Sequence, residues 1–164
     1  MGDTMFNAIP LSERREENYT KLLDVIPFYL SKEDGLISNL SNLSALINYF
    51  VDEINWVGFY LYDGKELYLG PFQGLPACTK IQLGRGVCGV SAKERETVLV
   101  DDVRTFEGHI FCDANSLSEL VVPIVKDHRL IGVLDIDAPK VKRFSKLDKA
   151  VFEKVIEALV DILD

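Results

Sequence analysis

Basic charge is in short supply in this 164-residue chain: 18 Lys and Arg stand against 26 Asp and Glu, a formal net charge of −8. Phosphate backbones are bound through basic footprints, so the composition argues against a nucleic-acid partner. The same deficit argues against attraction to an anionic membrane surface. No apolar run approaches the roughly 18–20 residues of a membrane-spanning helix. Residues 1–18 show no positive segment followed by an apolar run, so no signal peptide is expected. Repeats, low-complexity tracts and Pro/Gly-rich linkers are also missing, which predicts one domain over 1–164. A chain of that length buries roughly 70% of its unfolded surface. Cysteine is scarce too: the chain has three, too few for a disulfide scaffold and odd in number, so at least one thiol is left over. The expectation is a soluble, acidic, cytoplasmic domain in which the three cysteines need a reason.

What is present divides into three stretches. A helical region is expected over about 12–51. Ser12, followed by acidic residues, suits a helix start, and Pro27 is expected to end or kink that helix. Leu36, Leu40, Leu43, Ile47 and Phe50 then repeat at helical spacing. Sheet and loops follow over about 54–137. The aromatic and β-branched run Ile54–Tyr62 reads as a strand, Asp63-Gly64 as a hairpin turn, and 65–72 as the returning strand. Val98–Val100 reads as a short strand, and 119–125 with 129–136 as a further pair. A last helix is expected over about 145–163, opened by Ser145 with Asp148 in a capping-box position. Helices flanking hairpin-linked strands predict an α+β fold, a central antiparallel sheet with helices mainly on one side.

Gly84-Arg85-Gly86-Val87-Cys88-Gly89 matches G-x-G-x-x-G literally. A dinucleotide site also needs a preceding strand and an acid about 20 residues on. The candidate acid, Asp101, lies only 12 residues past Gly89. The favoured reading is a tight turn into a short helix over 87–93.

No C-x-x-C pair exists, which argues against zinc-knuckle and thioredoxin-type dithiol chemistry. Cys88, between Val87 and Gly89, suits a small buried hydrophobe. Cys78 and Cys112 lie in polar, loop-like sequence where reactive thiols are found. Near Cys112, Asp113 and Glu119 oppose thiolate formation, and His109 is the nearby base candidate for a Cys–His pair. Asp135 and Asp137 alternate with Ile136 and so share one sheet face. There they repel one another, and at least one is expected to hold its proton more readily than a free Asp. A solvated strand end is the plainer alternative. Trp56 and Tyr60, on one face of their strand, suit a core or a pocket wall.

The ordered set of segments resembles the free methionine-(R)-sulfoxide reductase family, whose fold is a GAF domain. The carrying residues are Asn55-Trp56-Val57-Gly58-Phe59-Tyr60, Gly70-Pro71-Phe72-Gln73-Gly74 with Ala77-Cys78, and Gly84–Gly89. They continue through Gly108-His109-Ile110-Phe111-Cys112-Asp113, Ser116, Ser118–Pro123 and Gly132–Asp137. Phe111 departs from the smaller residue that the pattern has before its cysteine.

The resemblance implies an oxidoreductase acting on free L-methionine-(R)-sulfoxide. Cys112 is the implied nucleophile, oxidised to a sulfenic acid. Cys78 is the implied resolving thiol in a Cys78–Cys112 disulfide, and Cys88 an alternative resolver. Glu119 and Asp137 are assigned to the sulfoxide oxygen, Asp135 to binding, and Trp56 and Tyr60 to the aromatic wall around the substrate methyl. The resemblance further implies no bound cofactor or metal, thioredoxin (or dithiothreitol in vitro) as reductant, and a homodimer. A GAF small-molecule or redox sensor without turnover is the alternative.

Overall fold

Period-two alternation divides the molecule into two cores. In β1 (Trp56–Tyr62), Val57, Phe59 and Leu61 enter one cluster, while Trp56 and Tyr60 enter the other. The same split repeats in β5 (Ser118–Lys126), with Leu120, Val122 and Ile124 opposed to Val121, and in β6 (Arg129–Ala138), with Leu134 and Ile136 opposed to Val133. This is a computed structural model, and it describes residues 6–110 and 112–163.

The first cluster is roofed by α1 (Arg15–Tyr29), α2 (Leu36–Phe50) and α4 (Lys146–Ile162), which bury Leu22, Leu43, Ile47 and Phe152 completely. The second lies beneath α3 (Gly86–Glu94) and the loops around it. With β2 (Glu66–Gln73), β3 (Lys80–Gln82) and β4 (Val98–Val100), the sheet has the order β3-β2-β1-β6-β5-β4, antiparallel throughout. Three helices on one face and one on the other make the expected α+β arrangement. Among the described residues no helix is long and apolar enough to cross a membrane.

The details differ from the sequence reading at several points. Ser12 does not cap α1. Arg14 occupies that position, and Ser12 instead exchanges hydrogen bonds with the Asn18 side chain (2.8 and 2.9 Å). Pro27 neither ends the helix nor begins the next element, because α1 continues to Tyr29. A proline this close to the terminus removes only one internal hydrogen bond. β3 and the 3-10 turn at Val103–Thr105 were not expected, being too short to carry a period. At α4 the capping box forms: the Ser145 hydroxyl accepts from the Asp148 amide, and the Asp148 carboxylate accepts from the Ser145 amide at 2.8 Å. Leu147, in the first turn of α4, stays exposed.

Candidate active site

The site follows from register. Trp56 on β1 pairs with Asp137 on β6, and Asp137 pairs with Glu119 on β5, so one row across three strands carries an aromatic wall and two acids. Asp135, two residues earlier on β6, falls on the same face opposite Gly58. Above the row α3 brings down Cys88, whose Sγ lies 3.9 Å from Glu119 Oε1. Together these side chains line a cleft of about 510 Å³ that opens to solvent. The acids therefore belong to a pocket floor and not to a solvated strand end: Glu119 and Asp135 are buried, and Asp137 is half-buried.

Like charges in adjacent register destabilise a sheet, and burial makes ionisation costlier still. The acids respond by holding protons. Burial pushes the Glu119 carboxyl well above the ordinary range, with Asp135 and Asp137 adding to the effect. Asp137 rises for the same reasons, burial first and then Asp135 and Asp113. Burial lifts Asp135 to about 6, against hydrogen bonding with Cys88 and Glu119 that pulls it down. The Cys88 thiol is raised by burial and by its acidic neighbours, so it stays protonated. His109 Nδ1 sits 3.7 Å from Glu119 Oε2, and burial lowers its pKa toward the neutral form.

Cys78 and Cys112 are joined in a disulfide with their Cα atoms 5.4 Å apart. The bond connects two loops that β1 anchors independently. Trp56 Nε1 donates to the Leu75 carbonyl at 3.0 Å, and the Tyr60 hydroxyl donates to the Cys78 carbonyl at 3.0 Å. On the other loop, Asp113 and Ser116 accept from Asn55 Nδ2 at 3.0 and 3.1 Å. Cys112 lines the cleft, as do Trp56 and Tyr60. Trp56 stacks on Phe72 (centroids 5.3 Å apart) and on Tyr60 (6.0 Å). Phe111 lies outside the described residues.

The glycine motif is a backbone device. Gly84 and Gly86 adopt φ of +80° and +61°, and a Cβ on Gly89 would meet the Gln82 carbonyl oxygen at 2.3 Å. The Gly86 amide bonds the Gly108 carbonyl at 3.2 Å, which ties the start of α3 to the Cys112 loop.

Trp56, Tyr60, Cys88, Cys112, Glu119, Asp135 and Asp137 all line this cleft, and Cys78 reaches it through the disulfide; Asp101, weighed for a dinucleotide site, does not line it. His109 faces Glu119, a partner that the search for a Cys–His pair did not anticipate. Arg85 also lines the cleft, a cation above an acidic floor that no sequence signal marked as functional. Cys88, Glu119 and Asp135 offer donor atoms within 4.8 Å of one another, close enough to hold a cation. An aromatic wall, a floor on which burial raises the proton affinity of the carboxyls, and a dithiol pair suit a small polar molecule that accepts a proton and exchanges electrons with sulfur.

Comparison with known proteins gives the same picture. Residues 36–160 match the GAF domain. The chain is 43% identical over 157 residues to Protein YtsP of Bacillus subtilis, covering 94% of this chain and 96% of that protein. It is 42% identical over 134 residues to the free methionine-R-sulfoxide reductase of Escherichia coli, covering 82% and 81%. Among solved structures, fRMsr of Staphylococcus aureus in complex with substrate is 48% identical with a TM-score of 0.85, covering 97% of this chain and all of that one (100%).

Proposed function

Because the chain belongs to the GAF-domain family of free methionine-R-sulfoxide reductases, we propose that it reduces free L-methionine-(R)-sulfoxide to L-methionine by thiol chemistry. The observation that carries this reading is the Cys78–Cys112 disulfide, anchored beside a floor of carboxyls that burial keeps protonated.

In the reduced enzyme Cys112 Sγ attacks the sulfoxide sulfur. A sulfoxide oxygen leaves poorly as an anion, so Glu119 or Asp137 delivers a proton to it. The oxygen ends on Cys112 as a sulfenic acid, and methionine departs with the electron pair, reduced by two electrons. The Cys78 thiol then attacks Cys112, expelling water and forming the disulfide. An external dithiol, thioredoxin in the cell or dithiothreitol in vitro, restores both thiols by exchange. No bound cofactor enters this cycle. Asp135 is assigned to the substrate ammonium, Trp56 and Tyr60 to the methyl group, and Cys88 to a secondary resolving role. Thiol supply places the reaction in the cytoplasm, and the apolar terminal helices are assigned to a homodimer.

The test is turnover of free methionine-(R)-sulfoxide with dithiothreitol. The (R) epimer is consumed, while the (S) epimer and peptide-bound sulfoxide are not. Cys112→Ser abolishes even a single turnover, whereas Cys78→Ser still releases about one methionine per chain, because sulfenic acid formation precedes resolution. Wild-type activity in Cys112→Ser would sink the assignment of the nucleophile. Substrate binding without turnover in the wild type would favour a sensor.

A further inference from the structure

Cys88 has no necessary part in the cycle above, yet α3 holds it against the acids. Its Sγ and one carboxylate oxygen each from Glu119 and Asp135 lie within 4.8 Å of one another, and all three residues are buried. A second observation points to a ligand: Asp135 Oδ1 is buried with no hydrogen-bond partner among the described residues. Asp135 is only 6% exposed and lines the cleft, so a ligand entering there can meet that oxygen.

We propose that Cys88, Glu119 and Asp135 form a reversible binding site for a divalent zinc ion, with the fourth position open to the cleft. The donor chemistry selects the metal. One sulfur and two carboxylate oxygens suit a borderline-soft cation, whereas calcium and magnesium take oxygen ligands alone. Zinc bonds of about 2.0–2.3 Å place tetrahedral ligand atoms roughly 3.3–3.6 Å apart. The Cys88–Glu119 separation of 3.9 Å needs only a small contraction. Binding exchanges the Cys88 thiol proton and the carboxyl protons for the ion. The route in is the cleft itself, and Cys112 at its side plays no part as a ligand in the oxidised protein.

Zinc held there occupies Glu119, assigned to the sulfoxide oxygen, and Asp135, assigned to the substrate ammonium, so metal and substrate exclude one another. That consequence rests on the proposed reaction, whereas the binding itself rests on the donor geometry.

Cobalt(II) titrated into the oxidised protein tests the site, because the disulfide leaves Cys88 as the one free thiol. The expected result is a thiolate-to-cobalt charge-transfer band that saturates at one equivalent and is bleached by zinc. Cys88→Ser abolishes the band. Asp135→Asn weakens cobalt binding on the order of 10- to 100-fold, which keeps the test valid if Cys88→Ser fails to fold. A missing band, or one that survives Cys88→Ser or is unmoved by Asp135→Asn, overturns the proposal. Pre-reduced protein in thiol-free buffer then separates the two readings. Methionine release without a cobalt band removes the metal site alone. A cobalt band in the oxidised protein without methionine release from the reduced protein removes the reaction and leaves the site.

Discussion

The Tyr60 hydroxyl donates to the Cys78 carbonyl at 3.0 Å, so one side chain walls the cleft and also holds the loop that carries half of the disulfide. The loop is bonded to the sheet by Tyr60 and by Trp56 and does not float above the pocket. The cleft wall and the disulfide are thus linked through β1.

Tyr60→Phe keeps the ring and removes that bond, a loss of about 1 kcal/mol. The first methionine should leave the reduced variant at close to the wild-type rate. Closure of the Cys78–Cys112 disulfide should slow by roughly fivefold, the equivalent of that energy. Rapid quenching, with methionine and free thiols counted in the same samples, separates the two steps. Equal slowing of both would mean that the hydroxyl acts on the substrate.

Glu119→Gln should lose activity and gain stability. An amide cannot supply the proton that the leaving oxygen needs, which should cost about 10²- to 10⁴-fold in methionine release. The stability effect follows from the raised Glu119 pKa. The folded protein holds this proton more tightly than the unfolded chain, whose value is near 4.5. That contribution is complete below 4.5 and is lost as pH rises through the folded value. The variant escapes that loss, so its melting temperature should exceed the wild type's by a margin that widens from acid to alkaline buffer. A constant margin across that range would show that the carboxyl is not held protonated by the fold.

Much of the site was legible locally, and the rest depended on long-range pairing. The alternation Leu134-Asp135-Ile136-Asp137 places both acids on one face with no knowledge of the fold. That Trp56 lies opposite Asp137, and Asp137 opposite Glu119, could not be read, because it depends on β6 inserting between β1 and β5. Cys88 read as an ordinary buried thiol, and only the packing of α3 sets it against Glu119. His109 was visible as a base, but its partner sits on a strand whose position the loop sequence does not encode. Ser12 failed as a cap because Asn18 offered its backbone a better partner inside the first turn. The paired roles of Cys78 and Cys112 came from resemblance to a family and not from spacing.

Asp148 ties the terminal helices together away from the cleft. Its carboxylate accepts from the Tyr19 hydroxyl and, at 2.9 Å, from Arg143 Nη1, and all three groups are buried. Burial alone would raise its pKa, but the hydrogen bonds from Ser145, Tyr19 and Arg143 outweigh it and hold the group below 3.8. A depressed folded pKa stabilises above the unfolded value and ceases to do so as pH falls through the folded one. Asp148→Asn should therefore cost about 3 kcal/mol or more at neutral pH, as expected for breaking a buried pair. Its deficit should shrink on acidification below pH 3.8. Denaturant midpoints at neutral and acid pH check both parts.

Gly58→Ala tests the aromatic wall while leaving every acid and thiol in the sequence unchanged. Gly58 pairs across the sheet with Phe72, and an added Cβ would lie 2.3 Å from Phe72 Cβ and 2.6 Å from Trp56 Cη2. Neither neighbour yields cheaply, because Phe72 is fixed at its Cβ by the strand and Trp56 is held by its bond to Leu75. Overpacking of this kind costs about 1–3 kcal/mol, and relief comes from turning the indole out of its stack on Phe72. Trp56 is the chain's single tryptophan, so its fluorescence reports the displacement directly. The emission of Gly58→Ala should shift even without substrate, and its KM should rise by a larger factor than its kcat falls. A variant with unmoved fluorescence and a raised KM would place the substrate methyl away from Trp56.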